Sequence, residues 1–252
     1  MSNLPPGVTK AAATGFDKLL SVQRPVVLAH LRSIRRGRPD ATPDQVIRIL
    51  ERRYLAAVTT GGAAVGASAA LPIVGVGASI ALSAVETGGF LEASALYAQS
   101  VTELHGIAID DPDRARTLVM TLILGSAGSD LVRQLAGEVT GTAPARTVFW
   151  GELVTKSLPK AAVGKVADQL KKSFIRKFGV SQGASIVGRA IPFGIGAVIG
   201  GTGNHILGRQ IVRGAREAFG AAPPTFTSNL EVVPRLTRED RKALKQLGGS
   251  QL

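Results

Sequence analysis

The chain has 252 residues, 45% apolar and 19% charged, with 30 Gly, 13 Pro and no Cys. That balance excludes a disordered chain, and zero cysteine excludes disulfides, thiolate zinc centres, iron–sulfur clusters and a cysteine nucleophile. The formal charge of +12 is unevenly placed: residues 1–53 are net +6, residues 54–113 net −6 without one Lys or Arg, and residues 150–219 net +8. Such separated blocks in a basic protein favour a polyanionic partner.

In chain order, MSNLPPGVTK has no basic stretch followed by an apolar one, so no secretory signal is expected. Residues 1–41 read as a basic N-terminal segment. The first clear helix signal is Thr42-Pro43-Asp44-Gln45, with a capping Thr, Pro at the first helical position and Gln closing a capping box. Val46, Ile49, Leu50 and Tyr54 follow at helical spacing, and Arg48, Arg52 and Arg53 fall on the wetter side. Residues 54–85 then contain no charged side chain, and Pro72 divides them. A helix through Leu91, Ala95 and Leu104 is predicted to stop at Gly106. Asp110-Asp111-Pro112-Asp113 starts another, carrying the apolar run Leu118 to Leu124.

Farther on, Val163, Val166, Leu170, Phe174 and Phe178 form an apolar line, with Lys165, Lys171, Lys172, Arg176 and Lys177 off it. This is the pattern of a basic amphipathic helix, suited to an anionic membrane surface or to the outside of a bundle. A second uncharged segment, Ala190 to Gly208, contains Gly196-x-x-x-Gly200, the spacing that lets helix backbones touch. A helix near 204–219 sets Arg209, Arg213 and Arg216 on one face and Leu207, Ile211, Ala215 and Phe219 on another. Ala221-Ala222-Pro223-Pro224 reads as a connector, and Thr237-Arg238-Glu239-Asp240 opens a short polar helix. The expected fold is all-α: a multi-helix bundle with two glycine-rich apolar segments, organised as 1–41, 42–220 and 221–252. Those segments fit buried bundle helices, an interface-inserting hairpin or a spanning helix, although each half of 54–85 is short for spanning.

Catalytic patterns mostly fail. His30, His105 and His205 are far apart in sequence, so no helical His pair marks a metal site. Gly183 to Gly188 approaches a phosphate loop, but Arg189-Ala190 replaces Lys-Ser/Thr, and Gly75-x-Gly77 does not extend to a dinucleotide fingerprint. No cofactor is expected. Ser157-Leu-Pro-Lys160 has the Ser-x-x-Lys spacing of some acylating enzymes without the companion motifs. Glu86 and Glu92 border apolar sequence but do not share a helix face. Nucleic acid remains a rival for the positive charge through Arg32, Arg35, Arg36 and Arg38, although aromatics do not interleave with the basic clusters.

Residues 191–219 resemble the closing signature of the EcsC family of bacterial proteins. The matching positions are Ile191, Pro192, Gly196, Ala197, Ile199, Gly200, Asn204, Arg213, Ala215 and Phe219. Thr60-Gly61, and Gly106 ahead of Asp110-Asp111-Pro112, fit the same pattern, so the similarity spans roughly residues 45–220. His105 stands where the family often has an aromatic, Glu86 where it often has Asp, and Gly88-Gly89 is unusual. The resemblance implies an association with a transporter locus but no catalytic residues. The signature residues Pro192, Gly196, Gly200 and Asn204 are expected to serve helix packing, with Asn204 either bonding across helices or capping the last one.

Together these features predict a cytoplasmic, non-catalytic accessory protein, peripheral to the inner face of the membrane. Its expected partners are anionic lipid or a membrane protein complex, met by Lys165, Lys171, Lys172, Arg176, Lys177, Arg209, Arg213 and Arg216. A basic nucleic-acid-associated protein and a serine hydrolase using Ser157 and Lys160 are the alternatives.

Overall fold

The computed structural model describes residues 22–68, 76–141, 149–160, 162–173 and 195–230. Among them all regular structure is helical. Helix α1 (Arg24–Gly37) begins with a proline in its first turn and buries Val27, Leu31 and Ile34. That i, i+4, i+7 stripe is its core face.

Helix α2 (Pro43–Ser68) starts at the expected box. The Gln45 backbone N–H donates to Thr42 Oγ1 at 3.3 Å, and the Thr42 backbone N–H donates to Gln45 Oε1 at 3.0 Å. Two otherwise orphaned donors are thereby satisfied. Helix α3 (Val76–Leu104) runs through Gly88-Gly89 without a break and is followed by Gly106 at φ +72°. Helix α4 (Pro112–Leu124) is capped by Asp111, whose carboxylate accepts from the Asp113 N–H. It buries every residue from Thr117 to Leu124 and so lies at the centre of the fold.

Gly125, at φ 67° and ψ −137°, turns the chain directly into α5 (Ser126–Thr140). A short helix, α6 (Trp150–Glu152), widens into a π turn over Leu153–Ser157. Arg114 of α4 clamps that turn, donating to the carbonyls of Val154 and Leu158 at 2.7 Å each. Helix α7 is described over 162–173, and α8 spans Ile195–Phe219.

The most extensive pairing joins α2 to α8, with α3 packed on both. Tyr54 of α2 stacks on Tyr97 of α3, with centroids 4.8 Å apart, and its hydroxyl lies 2.8 Å from Ser94 Oγ. Because the Ser94 proton is donated to the Phe90 carbonyl, Tyr54 is the donor in that contact.

Three expectations change in detail. The boundary at residue 42 runs through one core, because Val27, Leu31 and Ile34 pack with residues of α2 and α3. The connector after α8 is non-helical, but its chain is tied down: Phe226 lies under Arg35, whose guanidinium carbon is 3.8 Å from the ring centroid, and Leu230 is fully buried. Arg32 donates to the Asn229 carbonyl in the same place. The last basic helix is already formed at Ile195, well before 204, so residues 195–208 of the glycine segment and the arginine face belong to one continuous helix. The polar helix expected from residue 237 lies outside the described residues.

Candidate functional site

Helices α2 and α8 run antiparallel, and glycine sets how closely. A Cβ on Gly201 would meet Ala63 Cβ and the Thr59 carbonyl at 3.3 Å. One on Gly208 would meet Leu55 at 3.0 Å and Val58 at 3.1 Å. The close approach therefore falls on Gly201 and Gly208. Gly196 and Gly200 also lie in α8, their surroundings outside what is described, and Pro192 lies outside the described residues.

Asn204 sits between the two close-approach glycines, well inside the helix, so it is no cap. Its Nδ2 donates to the Val58 carbonyl of α2 and to Glu86 Oε1 of α3, each at 3.2 Å. One turn of α8 is thus bonded to both neighbours. His205 Nδ1 adds a contact of 3.1 Å to Thr59 Oγ1.

These contacts set residues 54–63 of α2 against 201–208 of α8, with Glu86 of α3 bonded to Asn204. In sequence they belong to the stretches 54–68 of α2 and 195–208 of α8, and Glu86 directly follows 76–85 of α3. None of these three stretches contains Asp, Glu, Lys or Arg. Within this end of the fold Val85 is 71% exposed and Ile206 59%, large values for apolar side chains. Arginine borders it. Arg52 and Arg53 precede the uncharged part of α2, Arg209 and Arg213 follow that of α8, and all four are exposed. Gly208 packs against Tyr54 and Leu55, which sets Arg209 and Arg53 at nearly one height along the helix pair. Among the described residues no helix is long and apolar enough to cross a membrane.

Scanned against models of known families, against curated proteins and against solved structures, the chain matches none. The EcsC resemblance stands on its signature residues alone.

The basic helices differ from expectation in what remains free. Val163, Val166 and Leu170 of α7 are buried in the fold's own core, as are Ile211, Ala215 and Phe219 of α8. Among the described residues these apolar positions are therefore occupied by the fold itself, while Phe174 and Phe178 of the same line lie outside the described residues. Lys165 and Lys172 are exposed and Lys171 is half-buried, whereas Arg176 and Lys177 lie outside the described residues. Arg209 and Arg213 point to solvent. Arg216 is committed inside the chain: Nε and Nη2 donate to Glu51 Oε1 and Oε2 at 2.8 and 2.6 Å. Glu51 is only 6% exposed, and this fork holds the Arg216 guanidinium above its ordinary pKa.

The other candidates are mostly accounted for within the structure. Arg32 and Arg35 are engaged with backbone carbonyls, which leaves Arg36 and Arg38 exposed. Ser157 Oγ contacts the Glu152 carbonyl at 3.5 Å, and Lys160 Nζ pairs with Asp111 at 3.6 Å. Each member of that motif is thus partnered elsewhere. His105 stacks on Phe219 at 5.3 Å, and burial lowers its pKa below the ordinary value, as it does for His30. Among the described residues no three His or carboxylate side chains gather as a metal site. The arginines bordering the uncharged end were missed as a group in the sequence. The signal was there: Arg53 immediately precedes one uncharged run and Arg209 immediately follows the other.

Proposed function

We propose that this chain is an EcsC-like, non-catalytic accessory protein that docks peripherally on the anionic cytoplasmic face of a membrane, serving a transporter or other membrane complex. What supports the docking is the charge boundary. Stretches of α2 and α8 without Asp, Glu, Lys or Arg, with Ile206 exposed within them and Val85 of α3 exposed beside them, are bordered by exposed arginines of the same two helices at nearly one height. That arrangement sets the arginines at headgroup level when the end meets a bilayer. At about 1.5 Å per residue, residues 54–68 extend roughly 22 Å, short of the roughly 30 Å hydrocarbon core. Contact is therefore shallow. The end is rich in Gly, Ala, Ser and Thr, so most of the affinity comes from charge, at about 1 kcal/mol per basic residue near an anionic surface. The EcsC part of the reading draws on the signature positions, of which Asn204 has a definite packing task.

Flotation with phosphatidylcholine vesicles and with vesicles containing phosphatidylglycerol, each at low and high salt, tests this. The protein is expected to float only with the anionic vesicles and to be released by salt. No flotation under any condition, together with salt-sensitive retention on DNA, would replace docking with the nucleic-acid alternative.

A further inference from the structure

An open cleft of about 870 Å³ lies where the α1–α2 connection meets α2 and α8. Its wall carries Arg38, Arg48, Arg52 and Arg216 against only Asp40 and Glu51. Three charges on the wall are already matched: Arg216 forks onto Glu51, and Arg48 pairs with Asp44 one turn back. Arg38 and Arg52 are exposed, and among the described residues neither has a carboxylate partner.

A further charge stands behind the wall. Arg35 is 8% exposed and donates from Nη1 to the carbonyls of Pro39, at 2.6 Å, and Ala41, at 3.0 Å, both cleft residues. Its Nε is buried without a partner, and its guanidinium is faced by the Phe226 ring rather than by a carboxylate. A buried guanidinium stays charged and is poorly screened, so its field reaches the cleft. With Asp40 set against Arg35, Arg38 and Arg52, the cleft holds an excess of positive charge close to that of two protons.

We propose that this cleft binds a phosphate-bearing anion, a phosphomonoester or diphosphate group held between Arg38 and Arg52. A dianion balances the excess, whereas a single carboxylate leaves half of it. Guanidinium forks arriving from a loop and from a helix suit several oxygens on one phosphorus. The group can belong to a soluble phosphate or to a lipid headgroup. Because Arg52 also borders the uncharged end, the pyrophosphate measurement, which involves no membrane, keeps the two readings apart.

Titration calorimetry with inorganic pyrophosphate, at matched ionic strength, reads the cleft directly. The wild type is expected to bind, and the Arg38→Ala/Arg52→Ala variant to bind at least tenfold more weakly. Both side chains are exposed and the Glu51–Arg216 pair is untouched, so an unchanged thermal melt is expected for that variant. Arg36→Ala, an exposed neighbour outside the wall, controls for general charge. In the lipid arm, vesicles with phosphatidate are compared with phosphatidylglycerol vesicles of equal surface charge. A phosphatidate preference abolished by the double variant, without pyrophosphate binding, assigns the phosphate to a headgroup. Equal pyrophosphate binding by wild type and double variant overturns the proposal, as does the absence of both pyrophosphate binding and a phosphatidate preference. Loss of vesicle flotation with pyrophosphate binding intact counts against membrane docking alone.

Discussion

Gly208 and Gly203 sit on the same helix and meet opposite surroundings. A Cβ at 208 runs into Leu55 and Val58 at 3.0–3.1 Å, whereas one at 203 meets nothing within 4 Å. Gly208→Val is therefore expected to destabilise by about 1–3 kcal/mol through overpacking. Gly203→Ala is expected to stabilise by about 0.5–1 kcal/mol by restricting the unfolded chain. Thermal melts should move in opposite directions, by roughly 2–4 °C per kcal/mol for a domain of this size. Arg216→Ala strips both donors from a Glu51 that is 6% exposed, at a cost of about 1–3 kcal/mol. Replacing both partners with Leu should cost less than Arg216→Ala alone, because no unpaired buried carboxylate remains. Acid should act through His30 and His105. Burial lowers both pKa values, with Arg53 reinforcing the shift at His30 and Glu152 opposing it at His105. The unfolded chain then takes up protons near pH 6.5 while the folded one resists. Stability is full above about pH 6.5 and falls as pH drops from there toward the folded pKa values. Melts from pH 7.5 to 5.5 should show that slope flattened in His30→Gln/His105→Gln.

At the scale of elements, the α2–α3–α8 unit is held at the end of its core by Asn204. Asn204→Leu removes one donor shared by the Val58 carbonyl and Glu86, and chemical denaturation should report a loss of about 1–2 kcal/mol. Capping was legible in the sequence because it is local: Thr42 with Gln45, and Asp111 with Asp113, act within a few residues. The buried stripe Val46, Leu50, Tyr54 was legible for the same reason, since helical period alone selects one face. What escaped depends on distant chain. Five basic residues in 24–38 obscured the stripe Val27, Leu31, Ile34, whose core face is completed by α3, α2 and the turn at Ser228–Leu230. Small-residue spacing announced close packing on α8, but the rotation that selects Gly201 and Gly208 is set by α2. The amphipathic pattern of residues 163–170 suits a bilayer and a protein core equally, and the core occupies it here. The partnership of Glu51 was not legible because Arg216 lies 165 residues away.

For the molecule as a whole, the uneven charge resolves into distinct surfaces. Much of the acidic block is structural: Glu103, 4% exposed, takes a two-point ion pair from Arg24 at 2.9 and 3.0 Å. Asp111 serves as a cap, and Glu86 accepts from Asn204. The basic residues left exposed include those bordering the uncharged end and Lys165 and Lys172 of α7. Flotation of charge-reversed variants decides between these surfaces. Arg53→Glu/Arg209→Glu/Arg213→Glu is compared with Lys156→Glu/Lys165→Glu/Lys172→Glu, an equal change of net charge placed elsewhere, on phosphatidylglycerol-containing vesicles at low salt. Docking through the uncharged end predicts that the arginine variant stays in the aqueous fraction while the lysine variant still floats. Flotation of the arginine variant at the wild-type level, or equal loss in both, would contradict it.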